Sequence, residues 1–266
     1  MSRKCSIPCS HRTETRRRCS HTCGGARIAR ALEGPLRPPA AIAFDLDGTL
    51  VDTVPARIRA WLQALHEAGI SVGHREVAML IGSDGRYVAR ESARALGQDL
   101  DEQRAERIDR RQGEVFETLN VDPKPLPASR ELLMRLEARS IPWAIATSSR
   151  HEQVGASVQA LRLPRPPTII DGHDVAHAKP APDLLLKACR VLGVEPKRCW
   201  YVGDSRWDMI AARAASMVAV GVTAGSAVQA GDLTSAGAVR VCTTLRGVIQ
   251  LLGRERSGIA RPEREP

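Results

Sequence analysis

The sequence predicts an α/β fold: a parallel sheet with helices on both faces, interrupted after its first strand by a block of helices. Three observations predict it. From Pro125 onward, short apolar strands alternate with amphipathic helices. Between Pro55 and Leu119 the pattern is helical throughout, with no strand of its own. Acidic or hydroxyl residues stand directly after three of the apolar runs, where open parallel sheets bind ligands.

The elements follow in order. After the Pro-rich stretch PLRPPA at 35–40, AIAF at 41–44 reads as the first strand and runs straight into Asp45 and Asp47. PARIRAWLQALHEAG, HREVAMLI, GRYVARESARALG and DEQRAERIDRRQGEVFETL then read as helices, each broken by Gly or a short polar turn. SRELLMRLEAR precedes the strand PWAIAT at 142–147, a helix near 151–161 and the strand TIID at 168–171. The helix LLLKACRVLG leads to CWYVGD at 199–204, and a helix across 206–215 is followed by MVAVG, AVRVC and the last helix TLRGVIQLLG. Alternation at this spacing implies parallel strands with helices on both faces. The expected division is a disordered basic leader at 1–40, a core at 41–54 and 125–253, a helical insertion at 55–124, and a disordered tail at 254–266.

A length of 266 residues allows a core domain of ordinary size plus a smaller one. The net charge of +9 is concentrated: residues 1–40 hold nine Lys and Arg against Glu14 and Glu33, so the body is nearly neutral. Without a basic stripe or an aromatic platform in the body, nucleic acid is not an expected partner. Apolar runs such as MVAVGV at 217–222 fall far short of the roughly 20 residues that cross a bilayer, so no membrane partner is expected either. Cys5, Cys9, Cys19 and Cys23, with His11 and His21, crowd into the leader, but their spacing around an RRR run fits a disordered extension better than a zinc site. The Arg- and Ser-rich leader bears a faint likeness to a transit peptide, which Glu14 and the missing apolar face weaken. Cys189, Cys199 and Cys242 lack metal spacing and read as reduced core thiols of a cytoplasmic protein.

The chemistry sits at the strand ends. In extended chain, residues i and i+2 share a face, so Asp45 and Asp47 repel unless a cation or a shared proton relieves them. Thr147 and Ser148 follow PWAIA, Asp204 follows CWYVG with Asp208 about one turn on, and Lys179 lies in the loop AHAKPAPD. Four carboxylates, a hydroxyl and an ammonium converging at one sheet edge suit a hard divalent cation and a phosphoryl group.

DLDGT at 45–49, the strand-end Thr147, Lys179-Pro180 and GDSRWD at 203–208 resemble the four ordered motifs of the haloacid dehalogenase-like hydrolases. The likeness spans roughly 41–253 and is to the phosphoglycolate phosphatase and β-phosphoglucomutase branch. It implies a Rossmann-like core with a mobile helical cap at 55–124 that closes over the site and excludes water. It also implies Asp45 as the nucleophile that forms an aspartyl-phosphate, and Asp47 as the acid and then the base. Mg²⁺ would be held by Asp45, Asp204 and the Asp47 carbonyl, with Asp208 in or near its shell. Thr147, Lys179 and the amides around Leu46 and Ser148 would hold phosphoryl oxygens, and Gly48 would let the chain turn.

Within that family, Asp47 argues against a dehalogenase, whose halide leaving group needs no proton. A phosphonoacetaldehyde hydrolase would need a Schiff-base lysine in the insertion, where Lys124, at its very end, is the sole lysine between Thr53 and Leu126. The expectation is a Mg²⁺-dependent phosphatase, acting as monomer or homodimer on a small phosphorylated metabolite such as phosphoglycolate or a sugar phosphate. A phosphosugar mutase and a non-catalytic binder working through the basic leader are the alternatives. IGSDGRYVARES at 81–92 reads as the specificity segment, with Arg86 and Arg90 one turn apart and available for a carboxylate or second phosphate. Arg150 and His151 are further candidates for the site, although both also fit a solvated helix start.

Overall fold

The computed structural model describes residues 36–253. The leader expectations up to residue 35, and those for 254–266, lie outside these residues. In chain order come β1 (Ala41–Phe44), β2 (Val51–Asp52), α1 (Val54–Glu67), α2 (His74–Ala78), α3 (Gly85–Arg94), α4 (Glu102–Leu119), β3 (Lys124–Pro125), α5 (Ser129–Ala138), β4 (Trp143–Ala146), α6 (His151–Ala160) and β5 (Ile169–Ile170). They continue with α7 (Asp183–Leu192), β6 (Cys199–Gly203), α8 (Arg206–Ala214), β7 (Val218–Val222), α9 (Ala230–Ala236), β8 (Arg240–Cys242) and α10 (Leu245–Leu251).

Six strands form a parallel sheet in the order β5-β4-β1-β6-β7-β8. Both faces are covered, which is why the strands are apolar throughout rather than alternating with polar residues. Small side chains line one face: Ala41, Ala43, Ala144, Ala146 and Ala219 pack with Leu184 and Leu185 of α7 and Met209 of α8. Large ones line the other, where Ile42, Phe44, Ile145, Trp200 and Val202 meet Leu132 and Leu136 of α5 and Val248 of α10. Each fully buried Leu, Ile or Phe there contributes about 1.5–3 kcal/mol of transfer free energy.

Two features differ from the sequence-based expectation. Helix α9 was not predicted, because AGDLTSA buries Leu233 alone and so carries no apolar period. The two-residue strands β2 and β3, too short for any period, pair antiparallel with Val51 opposite Pro125 and Asp52 opposite Lys124. The chain therefore leaves for the helical insertion and returns from it at one point. The insertion has its own apolar centre, in which Val54, Ile58, Trp61 and Leu65 of α1 meet Val77, Val88, Ala105 and Ile108. Among the described residues no helix is long and apolar enough to cross a membrane.

Candidate active site

Sheet topology alone brings the site together. β4, β1 and β6 are neighbours with Phe44 level with Ile145 and Val202, so the residues that follow, Asp45, Thr147 and Asp204, emerge side by side. Asp45, Thr147 and Asp204 are all buried and, with Lys179 from the loop before α7, line a cavity of about 290 Å³ between the sheet edge and the helical insertion. Ser148 lines it too.

Lys179 is 0% exposed and donates to Asp45 Oδ1 at 2.6 Å and to Asp208 Oδ1 at 2.8 Å. Burial works against its ammonium, but the charges of Asp208 and Asp45 outweigh it and hold Lys179 protonated, well above the usual lysine range. Asp208 is also locked from its own helix: Ser205 donates to Asp208 Oδ2 through its amide at 2.9 Å and its hydroxyl at 2.6 Å, in a capping box at the start of α8. The Asp204 carboxylate receives only the Thr49 hydroxyl, at 2.9 Å on Oδ1, among the described residues. Burial, followed by the charges of Asp208 and Asp45, pushes its pKa well up. Burial likewise raises Asp45 to about 7 despite Lys179.

One oxygen each of Asp45, Asp204 and Asp208 lie within 4.8 Å of one another. Three buried carboxylates facing one ammonium leave a deficit of positive charge, and their donor atoms are the hard oxygens that divalent cations of the Mg²⁺ type take. The residues present therefore fit such an ion. Gly48 makes the packing possible: its φ is +81°, and a Cβ there would collide with Asp204 Oδ2 and Val54.

Asp47 belongs to a different set of partners. Its side chain stands outside the three-carboxylate group, with Oδ2 accepting from Arg57 at 2.7 Å and Ser149 at 2.6 Å, and Oδ1 from Thr53 at 2.6 Å. Burial alone would raise it, but the Arg57 charge and these bonds hold it below the usual carboxylate range. The repulsion inherent in DLD is thus relieved by giving each acid its own cation. Arg57 itself is buried, stacks on Phe116 at 3.5 Å, and also donates to Gln153 at 2.8 Å. No role for Arg57 was expected from the sequence. Its signal was positional, since it lies on the same stripe of α1 as Val54, Ile58 and Trp61, where an apolar residue belongs.

The remaining candidates scatter. Arg86 lines the cavity but is held by Asp84 at 3.1 Å and Glu102 at 3.3 Å; Arg90 is held by Glu102 and is not among the cavity residues. Glu102, at the start of α4, pairs with both guanidiniums. Arg150 lines the cavity in ion pairs with Glu106 and Asp109, whereas the exposed His151 pairs with Asp171 at 3.0 Å and neither of these two is among the cavity residues.

Residues 42–222 match the family model described as haloacid dehalogenase-like hydrolase. The chain belongs to that family. As a haloacid dehalogenase-like hydrolase it is an enzyme, and its curated relatives include phosphatases. It is 31% identical over 207 residues to a phosphoglycolate phosphatase of Escherichia coli, covering 69% of this chain and 81% of the relative. It is 32% identical over 186 residues to hexitol phosphatase A of the same species, covering 68% and 82%. Among solved structures, a hydrolase from Pseudomonas syringae matches with a TM-score of 0.74 and 32% identity, over 79% of this chain and 97% of that one.

Proposed function

We propose that this haloacid dehalogenase-like hydrolase is a Mg²⁺-dependent phosphatase that hydrolyses a small phosphorylated metabolite through an aspartyl-phosphate on Asp45. The observation that carries this reading is the buried Asp45 at the end of the central strand, with Lys179 fixed on its Oδ1 and two further carboxylates beside it. The phosphatase relatives favour hydrolysis over the mutase alternative.

Lys179 fixes Asp45 by one oxygen and leaves Oδ2 to attack phosphorus in line with the leaving oxygen. Thr147 and Ser148 line the same cavity, where the Thr147 hydroxyl and the Ser148 amide would hold the phosphoryl oxygens as charge develops. Mg²⁺, held by Asp45, Asp204 and the Asp47 carbonyl with Asp208 behind them, would neutralise those oxygens. Arg57, Thr53 and Ser149 keep Asp47 ionised, the state in which it deprotonates the water that breaks the acyl-phosphate. To protonate the leaving oxygen in the first half-reaction, Asp47 must separate from Arg57 and bind a proton from solvent, which it passes to the leaving oxygen as the P–O bond breaks, returning to the carboxylate. Residues 55–124 serve as a cap that carries Arg57 and excludes water. In Mg²⁺, Asp45→Asn should abolish hydrolysis of an aryl phosphate while preserving the circular dichroism spectrum; undiminished turnover would remove Asp45 from the mechanism.

A further inference from the structure

A buried phenol stands against Lys179. Tyr201 lies in the middle of β6, is 0% exposed, and is not among the cavity residues. It faces the side of the sheet on which β1 and β4 carry alanines: Ala41, Ala43, Ala144 and Ala146. The residue of β1 level with Tyr201 is Ala43. Side chains this small leave room for the ring to cross β1, and the hydroxyl donates to the Ala146 carbonyl, at the end of β4, at 2.8 Å. Phenylalanine would fill the same space without burying a hydroxyl, a group that is costly to bury unless it is bonded.

The same hydroxyl completes the surroundings of Lys179. An ammonium has three donors, and Lys179 Nζ has three oxygen partners: Asp45 Oδ1 at 2.6 Å, Asp208 Oδ1 at 2.8 Å and Tyr201 Oη at 3.3 Å. Tyr201 has a single proton to give. Its shorter contact is the 2.8 Å one to Ala146, against 3.2 Å to Asp208 Oδ1, so the proton goes to the carbonyl and a lone pair is left for the ammonium. Two bonds leave an ammonium able to turn about the axis through them; a third removes that freedom. Ala146 immediately precedes Thr147, so the hydroxyl ties Lys179 to the strand end that delivers Thr147.

We infer that Tyr201 is a positioning residue: its hydroxyl, anchored on Ala146, holds the Lys179 ammonium on Asp45 Oδ1 and so keeps Oδ2 turned to phosphorus. This assignment rests on the phosphatase reading above, in which Asp45 is the nucleophile. Tyr201 acts through Lys179 and touches no substrate. Tyr201→Phe removes the hydroxyl alone and keeps the ring, whose centroid lies 5.9 Å from Lys179 Nζ.

The first readout needs neither substrate nor metal. In the ¹⁵N-labelled full chain in EDTA, the Lys179 ammonium signal is identified by its loss in Lys179→Met. It should exchange with water about tenfold faster in Tyr201→Phe, which lacks one acceptor for a charged donor. In Mg²⁺ with an aryl phosphate, Tyr201→Phe should lower kcat about five- to tenfold, with KM within about twofold of the parent. Placed in Lys179→Met, the same substitution should lower kcat no further. A hydroxyl that only packs the core would leave the exchange unmoved and would cost the same factor in both backgrounds. Unchanged exchange, unchanged kcat in Tyr201→Phe, or an equal loss in Lys179→Met each overturns the proposal. If the parent hydrolyses no aryl phosphate, the phosphatase reading fails and the positioning role with it, whatever the ammonium does.

Discussion

Replacing Lys179 by methionine, similar in length but uncharged, strips two buried carboxylates of their shared ammonium. The 2.6 Å and 2.8 Å contacts to Asp45 and Asp208 are lost, and all three side chains are at most 4% exposed. Breaking a buried pair from one side costs about 3–5 kcal/mol. For a domain of this size that lowers the melting temperature by about 6–20 °C. The folded Lys179 pKa lies above its unfolded value, so this stability is fully present at neutral pH and is lost only as pH rises through the folded value, above about 10.4. Thermal unfolding followed by circular dichroism at pH 7 in EDTA measures the loss. Mg²⁺ should stabilise Lys179→Met more than the parent, because the cation then supplies the missing positive charge, while kcat stays about 10²–10³ below the parent. A melting temperature within about 2 °C of the parent in EDTA, with kcat unchanged, would refute the bridging role.

Arg57→Ala should lower kcat by about a hundredfold and move the acid limb of the pH–rate profile upward, because Asp47 loses the cation that depresses its pKa; a profile that keeps its shape argues that Arg57 only packs. Mg²⁺ and protons should compete for Asp45, so the apparent Mg²⁺ affinity, measured by calorimetry, should fall as pH is lowered through about 7. Flat affinity from pH 5.5 to 8.5, a window set about 1.5 units either side of that value, counts against Asp45 as a ligand.

The core was readable because its signals are local. AIAF, PWAIA and CWYVG are apolar runs that stop at Asp45, Thr147 and Asp204, and the central position of their strands follows from βαβ topology. What the sequence left hidden is pairing. Lys179 was expected on phosphoryl oxygens and lies on Asp45 and Asp208; Arg86 and Arg90 were expected free and are tied to Glu102. Which charge finds which depends on side chains distant in sequence, and no periodicity encodes it. Arg57, Asp109 and Gln112 were legible only as polar residues on apolar helical stripes, a pattern easily taken for a solvated face. That pattern is the sequence signature of a buried polar wall.

The central claim is that Asp45 captures phosphorus beside a cation-binding group of acids. Rapid acid quench of the Mg²⁺-loaded enzyme during turnover of a ³²P-labelled substrate, followed by peptide mapping, tests it most directly. The account expects an acid-stable, hydroxylamine-labile label on the peptide carrying Asp45, absent in Asp45→Asn and in EDTA. Label on another residue, or undiminished label in Asp45→Asn, would contradict it.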